Sequence, residues 1–364
     1  MKRKLLLLTT ISASLLSANT LEEALSSGSF EGEIAAYTEY KDNKVDENSA
    51  FSMGYLNLIY QSGYFHGFNT TVGFRANSKL NEKHKGDYDG GESLPKALLH
   101  TANISYKHDL FDFTIGRGEL DYEWATDFHE GAILRLKPLQ DLILSVGHSR
   151  KVATVDEDEP MTNFERFNKK DGLWFFDLTY DGIEDSTINL YSYSVNNIAS
   201  WYGGGFWYDN EFFGFTAKGA VSDEKKYGQE HDGHIYNLEL RGKLDDFVLS
   251  GGYIATDKKG GVGSMEIAGE SINPLDEGDK VYEADAKTYY IGAEYEYGDF
   301  SFETIYAHTK FKDEELKKKE KEFNFIAEYE IVKNLNIGAL YAKIKSDEKD
   351  ESYSKYSLNL RYNF

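Results

Sequence analysis

Residues 353–364 read Y-S-K-Y-S-L-N-L-R-Y-N-F. Tyr356, Leu358, Leu360, Tyr362 and Phe364 alternate with Lys355, Ser357, Asn359, Arg361 and Asn363. A period of two defines a β-strand with one apolar and one polar face. The stretch finishes on an aromatic residue, Phe364. A strand that meets hydrocarbon on one side and water on the other, with an aromatic at the interface, suits the closing strand of a transmembrane β-barrel. The rest of the chain repeats it.

The alternation recurs over 30–41, 51–62, 65–79, 98–108, 111–120, 128–137, 140–150, 173–181 and 186–195. It continues over 199–209, 212–222, 233–244, 247–256, 286–297, 299–311, 322–332, 335–346 and 353–364. Among the clearest apolar rows are Ala102/Ile104/Tyr106, Trp174/Phe176/Leu178/Tyr180 and Phe323/Phe325/Ala327/Tyr329. Every second connection is tight and carries turn chemistry, as in Ser62-Gly63-Tyr64, Lys137-Pro138-Leu139, Asn210-Glu211, Gly298-Asp299 and Lys333-Asn334. The others are mostly longer and charged: 42–50, 80–97, 121–127, 151–172, 196–198, 223–232, 257–285, 312–321 and 347–352. This asymmetry predicts an all-β fold, a transmembrane antiparallel β-barrel of about 18 strands with short periplasmic turns and long extracellular loops. Pro95, Pro138, Pro160 and Pro274 all fall in connections on this reading. The run from Lys312 to Glu322, K-D-E-E-L-K-K-K-E-K-E, reads as a solvated loop in preference to a short helix.

Residues 1–18 have the parts of a cleaved signal peptide: basic Lys2, Arg3 and Lys4, an apolar run from Leu5 to Leu16, and a cleavage site at Leu16-Ser17-Ala18. That run is too short to span a bilayer as a helix. Residues 19–29 make a short N-terminal periplasmic segment, with one turn or so of helix over 21–27 stopped by Gly28. Residues 30–364 form a single barrel domain on this reading, since no linker divides them. A formal charge of −22 and a mean hydropathy of −0.56 exclude a helical membrane protein. They suit a barrel, in which only alternate strand residues meet lipid. Aromatic residues at 15% supply interfacial girdles, and the absence of cysteine excludes disulfides and thiol chemistry.

Setting the apolar rows outward turns the remaining side chains into the barrel. The expected pore-lining bases are Arg75, Lys107, Arg135, Lys218, Arg241 and Arg361, joined by Lys243 and Lys355. The expected pore-lining acids are Glu33, Asp177, Glu239, Glu294, Glu303 and Glu328, joined by Glu31, Asp112, Glu296 and Glu330. A Lys or Arg facing hydrocarbon at the midplane would cost about 2–4 kcal/mol, which forces this parity in long clean strands. Arg117 breaks the rule, sharing parity with Phe113 and Ile115, and belongs above the membrane or beyond a bulge. Both signs on separate strands set up a transverse field that orients zwitterions or selects ions. For any single residue the simpler role is to hydrate and brace the lumen. Eighteen strands leave a water-filled path. Loops 152–170 and 257–285 are the candidates to narrow it, whereas 121–127 looks short for that task.

L-E-E-A-L-S-S-G-S-F-E-G-E-I at 21–34, F-T-I-G-R-G-E-L at 113–120 and F-H-E-G-A at 128–132 resemble stretches of the OprD-type (Opr family) outer-membrane porins of Gram-negative bacteria. The strand count and aromatic carboxyl end agree, and the resemblance spans the chain after its signal. It implies passive diffusion of small solutes, in some members with a preference for amino acids, peptides or organic acids. It also implies an arginine-rich ladder, which would fall on Arg75, Arg135, Arg241 and Arg361. This chain departs from the pattern in its short connection after G-R-G-E-L and in its acidic charge.

The resulting expectation is a non-enzymatic outer-membrane porin carrying small hydrophilic solutes or ions. A plugged structural or adhesive barrel, a barrel enzyme and a soluble two-domain β-protein are the alternatives. The nine histidines are scattered and none sits in a G-x-S-x-G or H-E-x-x-H context. His231-Asp232-Gly233-His234 lacks a third metal ligand, and Asp87-Tyr88-Asp89-Gly90 matches a calcium loop only in part, so no metal and no cofactor is expected. Expected partners are outer-membrane lipid and lipopolysaccharide, the barrel-assembly machinery through the Phe364 strand, and a second and third copy if the barrel is a homotrimer instead of a monomer. No nucleic-acid partner is expected.

Overall fold

The described residues are 18, 20–168, 171–313 and 316–364, and over them the computed structural model is one antiparallel sheet of eighteen strands. The first nine strands are β1 (Ser29–Asn43), β2 (Ser49–Gln61), β3 (Phe68–Glu82), β4 (Ala97–Lys107), β5 (Phe111–Glu119), β6 (Phe128–Leu139), β7 (Leu142–Ala153), β8 (Leu173–Ile183) and β9 (Ser186–Val195). The remaining nine are β10 (Ala199–Asp209), β11 (Phe213–Glu224), β12 (His234–Leu244), β13 (Phe247–Thr256), β14 (Ala284–Tyr297), β15 (Phe300–Asp313), β16 (Leu316–Val332), β17 (Leu335–Ser346) and β18 (Tyr353–Asn363). Each strand pairs with its neighbours in sequence, and β1 also pairs with β18. The sheet therefore closes and has no edge.

The quoted terminal stretch is the seam of that closure. Glu33 pairs with Asn363, and the register runs without a slip to Asn43 and Tyr353. Beyond it, Gly32 and Phe364 exchange backbone hydrogen bonds of 2.8 and 2.9 Å. Tyr356, Leu358, Leu360, Tyr362 and Phe364 are exposed on the outer wall, while Lys355 on the opposite face is 7% exposed. The alternation read from the sequence thus becomes a lipid-facing wall and a polar interior. Below β1, the helix α1 (Leu21–Ser26) carries a capping box between Thr20 and Glu23, and its Ala24 carbonyl accepts from the Gly63 amide at 2.8 Å.

Several boundaries differ from expectation for local reasons. β3 starts at Phe68 instead of residue 65, because His66 and Gly67 take φ of 49° and 86° and lengthen the turn. Pro138 lies inside β6, not in a connection, and is accommodated by a register irregularity between Leu136 and Leu139. In the expected loop at 312–321, residues 312–313 and 316–321 are strand: β15 and β16 stay paired out to Asp313 and Leu316. The signal-peptide reading falls almost wholly on residues outside the described set; Ala18 donates to the Tyr64 carbonyl at 2.9 Å.

Arg117 sits two positions from the loop end of β5 and pairs with Glu130 of β6 at 3.0 Å, with the Phe164 ring 4.3 Å away. Its anomalous parity is thus met at the rim by an opposite charge. The preceding Gly116 takes φ of 128°, and a Cβ there would lie 2.1 Å from the Ala102 carbonyl oxygen. Gly116→Ala should therefore lower barrel stability by about 1–3 kcal/mol. The midpoint of heat- or urea-induced loss of the fast-migrating band on unboiled SDS gels checks this, and an unchanged midpoint would contradict the assignment.

Candidate functional site: a lumen narrowed by its loops

Three loops pack into the barrel against its inner wall. Leu120, Trp124 and Ala125 from the connection after β5, and Val262, Met265, Ala268, Ile272, Leu275 and Tyr282 from the connection after β13, are all buried. They share one apolar cluster with wall residues Phe175, Tyr191, Trp201, Ile235, Tyr290 and Ile305. Inward apolar side chains above a polar barrel floor give the loops something to bury against, which holds them without a disulfide. Phe167 of the 154–172 connection joins the cluster and stacks on His129 at 6.0 Å.

Hydrogen bonds fix where the loops lie. Trp124 Nε1 donates to the Tyr191 hydroxyl at 2.9 Å. The Ser271 amide donates to the Glu123 carbonyl at 3.0 Å and the Thr126 amide to the Ala268 carbonyl at 2.9 Å, tying two loops together. Lys218 of β11 then bridges both, 3.1 Å from the Glu123 carboxylate and 3.1 Å from the Ser271 carbonyl. Farther along, the amides of Asp276 and Glu277 donate to Glu322 of β16 at 3.1 and 2.9 Å. The Glu277 carboxylate reaches Lys355 of β18 at 2.5 Å and Lys41 of β1 at 3.7 Å, and accepts from the Tyr353 hydroxyl. The 257–283 connection therefore crosses from β13 to the β16–β18–β1 wall. From the opposite direction, Glu157 of the 154–172 connection pairs with Arg361 near the turn end of β18.

The side chains expected to line the pore fall into distinct settings. Arg75 is 2% exposed, stacked 3.7 Å over the Tyr55 ring, with Nε donating to Asn77 at 2.9 Å. Arg135 donates to the Tyr122 hydroxyl at 3.2 Å. Arg241 lies 3.4 Å from Glu239 and 3.5 Å from Asp209, and Arg361 lies 3.6 Å from Glu328. Lys107 is exposed at the turn end of β4, opposite Asp112. Asp177 accepts from Asn189 at 2.9 Å, and Glu239 accepts from the Tyr290 hydroxyl at 2.9 Å. Glu294 and Glu303 face each other directly across β14 and β15, and Glu33 stands opposite Asn57.

Arg75, Arg135, Arg241 and Arg361 thus do not form one continuous ladder of free guanidiniums, since Arg241 and Arg361 are matched by carboxylates. A recess of about 240 Å³ remains beside β3–β8, lined by Thr71, Asn103, Ser105, Thr114, His129, Arg135, Ser149 and Phe175 among others. Sequence reading missed Glu123, Trp124, Asp276 and Glu277. Their signal was there: aromatic and aliphatic side chains interspersed in acidic loops have to pack somewhere. Among the described residues no group of three or more His, Asp or Glu could hold a metal ion. Asp87 instead braces its loop, accepting from the Ala50 and His84 amides at 2.9 Å each.

A closed eighteen-stranded barrel with a polar interior and inward loops is a membrane channel. The Gram-negative porin family model matches residues 5–350, and the chain belongs to that family. It is an outer-membrane channel for diffusion of small solutes. Its fold is similar to Acinetobacter baumannii OccAB3, at TM-score 0.78 and 18% identity over 93% of this chain and 99% of that one. Pseudomonas aeruginosa OccK3 (OpdO) gives TM-score 0.77 and 15% identity over 94% and 97%. Pseudomonas aeruginosa OpdK, solved with vanillate, gives 0.78 and 14% over 93% and 99%. The expected OprD-type resemblance is borne out by these neighbours. No curated protein sequence matches the chain.

Burial pushes the Glu277 carboxyl up, but the charge and hydrogen bond of Lys355, the Tyr353 hydroxyl and Lys41 together hold it below its ordinary value of 4.5. The ionised form therefore favours docking of the loop. That contribution is present above pH 4.5 and lost as pH falls through the lowered value. Single-channel current should stay steady at neutral pH and become larger or noisier only in acid below that point. Glu277→Gln should show the same behaviour at pH 7, and a variant current equal to wild type at every pH would exclude this anchor.

Proposed function

We propose that solutes pass along the β3–β8 side of the lumen, and that the channel prefers cations. The observation that carries the preference is the pairing of lumen charges. Lys218, Arg241, Lys243, Lys355 and Arg361 each have a carboxylate within 4.0 Å. Glu294 and Glu303 stand opposite one another, beside Glu239 and Arg241 in a second recess. The bases are thus largely neutralised while acid is left in excess, in a chain of formal charge −22. Fixed negative charge on a narrow aqueous path raises the local cation concentration. Arg75 and Arg135 on the other wall give the field a direction. A small zwitterion would cross with its carboxylate toward Arg135 and its ammonium toward Glu239, Glu294 and Glu303.

The same reading makes the chain a non-enzymatic barrel exported by residues 1–18. The His129–Ser149 pair, 2.8 Å apart, supports no catalytic role, because Ser149 donates to the Lys151 carbonyl at 3.0 Å and His129 Nε2 faces the Thr126 carbonyl at 2.7 Å. Both groups are committed to the wall. The seam strand ending at Phe364 is the segment we assign to recognition by the barrel-assembly machinery. The apolar outer wall fits lipid or further copies of the chain, so it accommodates a monomer and a homotrimer alike.

Bilayer recordings under a tenfold KCl gradient test the selectivity. The reversal potential should have the sign of a cation-preferring pore, and the double variant Glu294→Gln/Glu303→Gln should move it toward zero. An anion-preferring wild-type channel would overturn the assignment.

A further inference from the structure

The charge run that the sequence presents as a loop is sorted by strand parity. In β16, Glu320 and Glu322 turn into the barrel and are buried, whereas Lys317, Lys319 and Lys321 are exposed on the face that carries Phe323 and Phe325. A loop in water has no reason to separate K from E at period two. A strand with two different environments does.

Register extends this lysine face across four strands. Lys287 of β14, Lys310 of β15 and Lys319 of β16 lie side by side in one row. In the next row toward the membrane, His308, Lys321 and Lys345 are neighbours. Below that come Tyr306 and Phe323, exposed on the same outer face, with Lys343 beside them. At about 4.8 Å between strands and 6.8 Å between alternate residues, the rows make a cationic band about 10 Å wide above an aromatic girdle. Among the described residues, the ion pairs of the region, Lys287–Asp285, Lys318–Asp313 and Lys318–Glu348, do not involve Lys310, Lys319, Lys321 or Lys345. Asp347, whose amide bonds the Lys319 carbonyl at 2.9 Å, adds one carboxylate at the margin. Like charges placed directly opposite across strands destabilise a sheet. Such crowding in a chain of net charge −22 calls for an anion from outside the protein.

We propose that the outer face of β14–β17, centred on Lys310, Lys319, Lys321 and Lys345, is a docking site for a phosphate-bearing glycolipid of the surrounding outer leaflet. The occupant follows from position and chemistry. The lysines lie on the lipid side of the wall, at the loop end of the barrel. The aromatic rings beneath them mark the interface at which acyl chains begin. Phosphates at that height complement several ammonium groups at once through charge-assisted hydrogen bonds, while acyl chains lie along Tyr306, Phe323 and Phe325. The site is distinct from the lumen and makes no use of the pore-lining charges.

The test uses the full barrel refolded in detergent. Its unfolding midpoint on unboiled SDS gels is followed during titration with bisphosphorylated lipid A, with the dephosphorylated lipid, and with inorganic phosphate. The phosphorylated lipid alone should raise the midpoint. Lys310→Gln/Lys319→Gln/Lys321→Gln, folded as judged by its compact band, should need about a hundredfold more lipid for the same rise, at roughly fivefold per lysine lost. Lys321→Gln/Lys345→Gln provides the same comparison if the triple variant does not fold. An equal response to the dephosphorylated lipid, an equal response to phosphate alone, or a variant that behaves as wild type would overturn the proposal.

Discussion

Hydrocarbon supplies no partner for a backbone amide, so a strand that crosses it has to be paired on both sides. Everything else in this protein depends on that constraint. It is met by bringing β1 to β18, two strands more than 300 residues apart in sequence, into one continuous ladder. Closure in turn fixes which face each residue takes, since a slip of one position would exchange the outer and inner rows of a whole strand. Phe364 and Gly32 lock the final pair at the base of the seam.

Once the wall is closed, its interior can hold charge at modest cost only where water or an opposite charge remains. The loops supply much of the latter. Glu123, Glu157 and Glu277 each come from a different connection and each meets a base of the wall, Lys218 of β11 or Arg361 and Lys355 of β18. Removing one partner from such a pair costs more than the pair itself contributes, because the other charge is left partly buried. The loops are therefore both the constriction and the counter-ions of the wall. Narrowing of the lumen and neutralisation of its bases arise from the same contacts.

Much of the barrel was legible in the sequence because a period of two is a local signal. Strand parity placed Arg75, Glu239, Lys355 and Arg361 on the inner face from alternation alone. Turn positions were less secure: Pro138 and the 65–67 stretch depend on irregularities that only the neighbouring strand imposes. Lys312 to Glu322 reads as a loop because charge outweighs alternation, although K-E-K-E at 319–322 alternates with the strand. The loop contacts were the hardest part. Trp124 against Tyr191, or Glu277 against Lys355, joins residues about 70 positions apart that no local pattern connects. The arginines could be named from the sequence, but the pairing of Arg361 with the loop carboxylate of Glu157 could not.

The central claim is that an open eighteen-stranded barrel is narrowed by loops held inside it. Single-channel conductance of the wild type beside a variant with residues 262–281 replaced by a short Gly-Ser turn tests it most directly. The account predicts small discrete steps for the wild type and steps several-fold larger for the variant, with both barrels equally resistant to SDS. Equal conductance in the two, or a folded variant that carries no current, would contradict it.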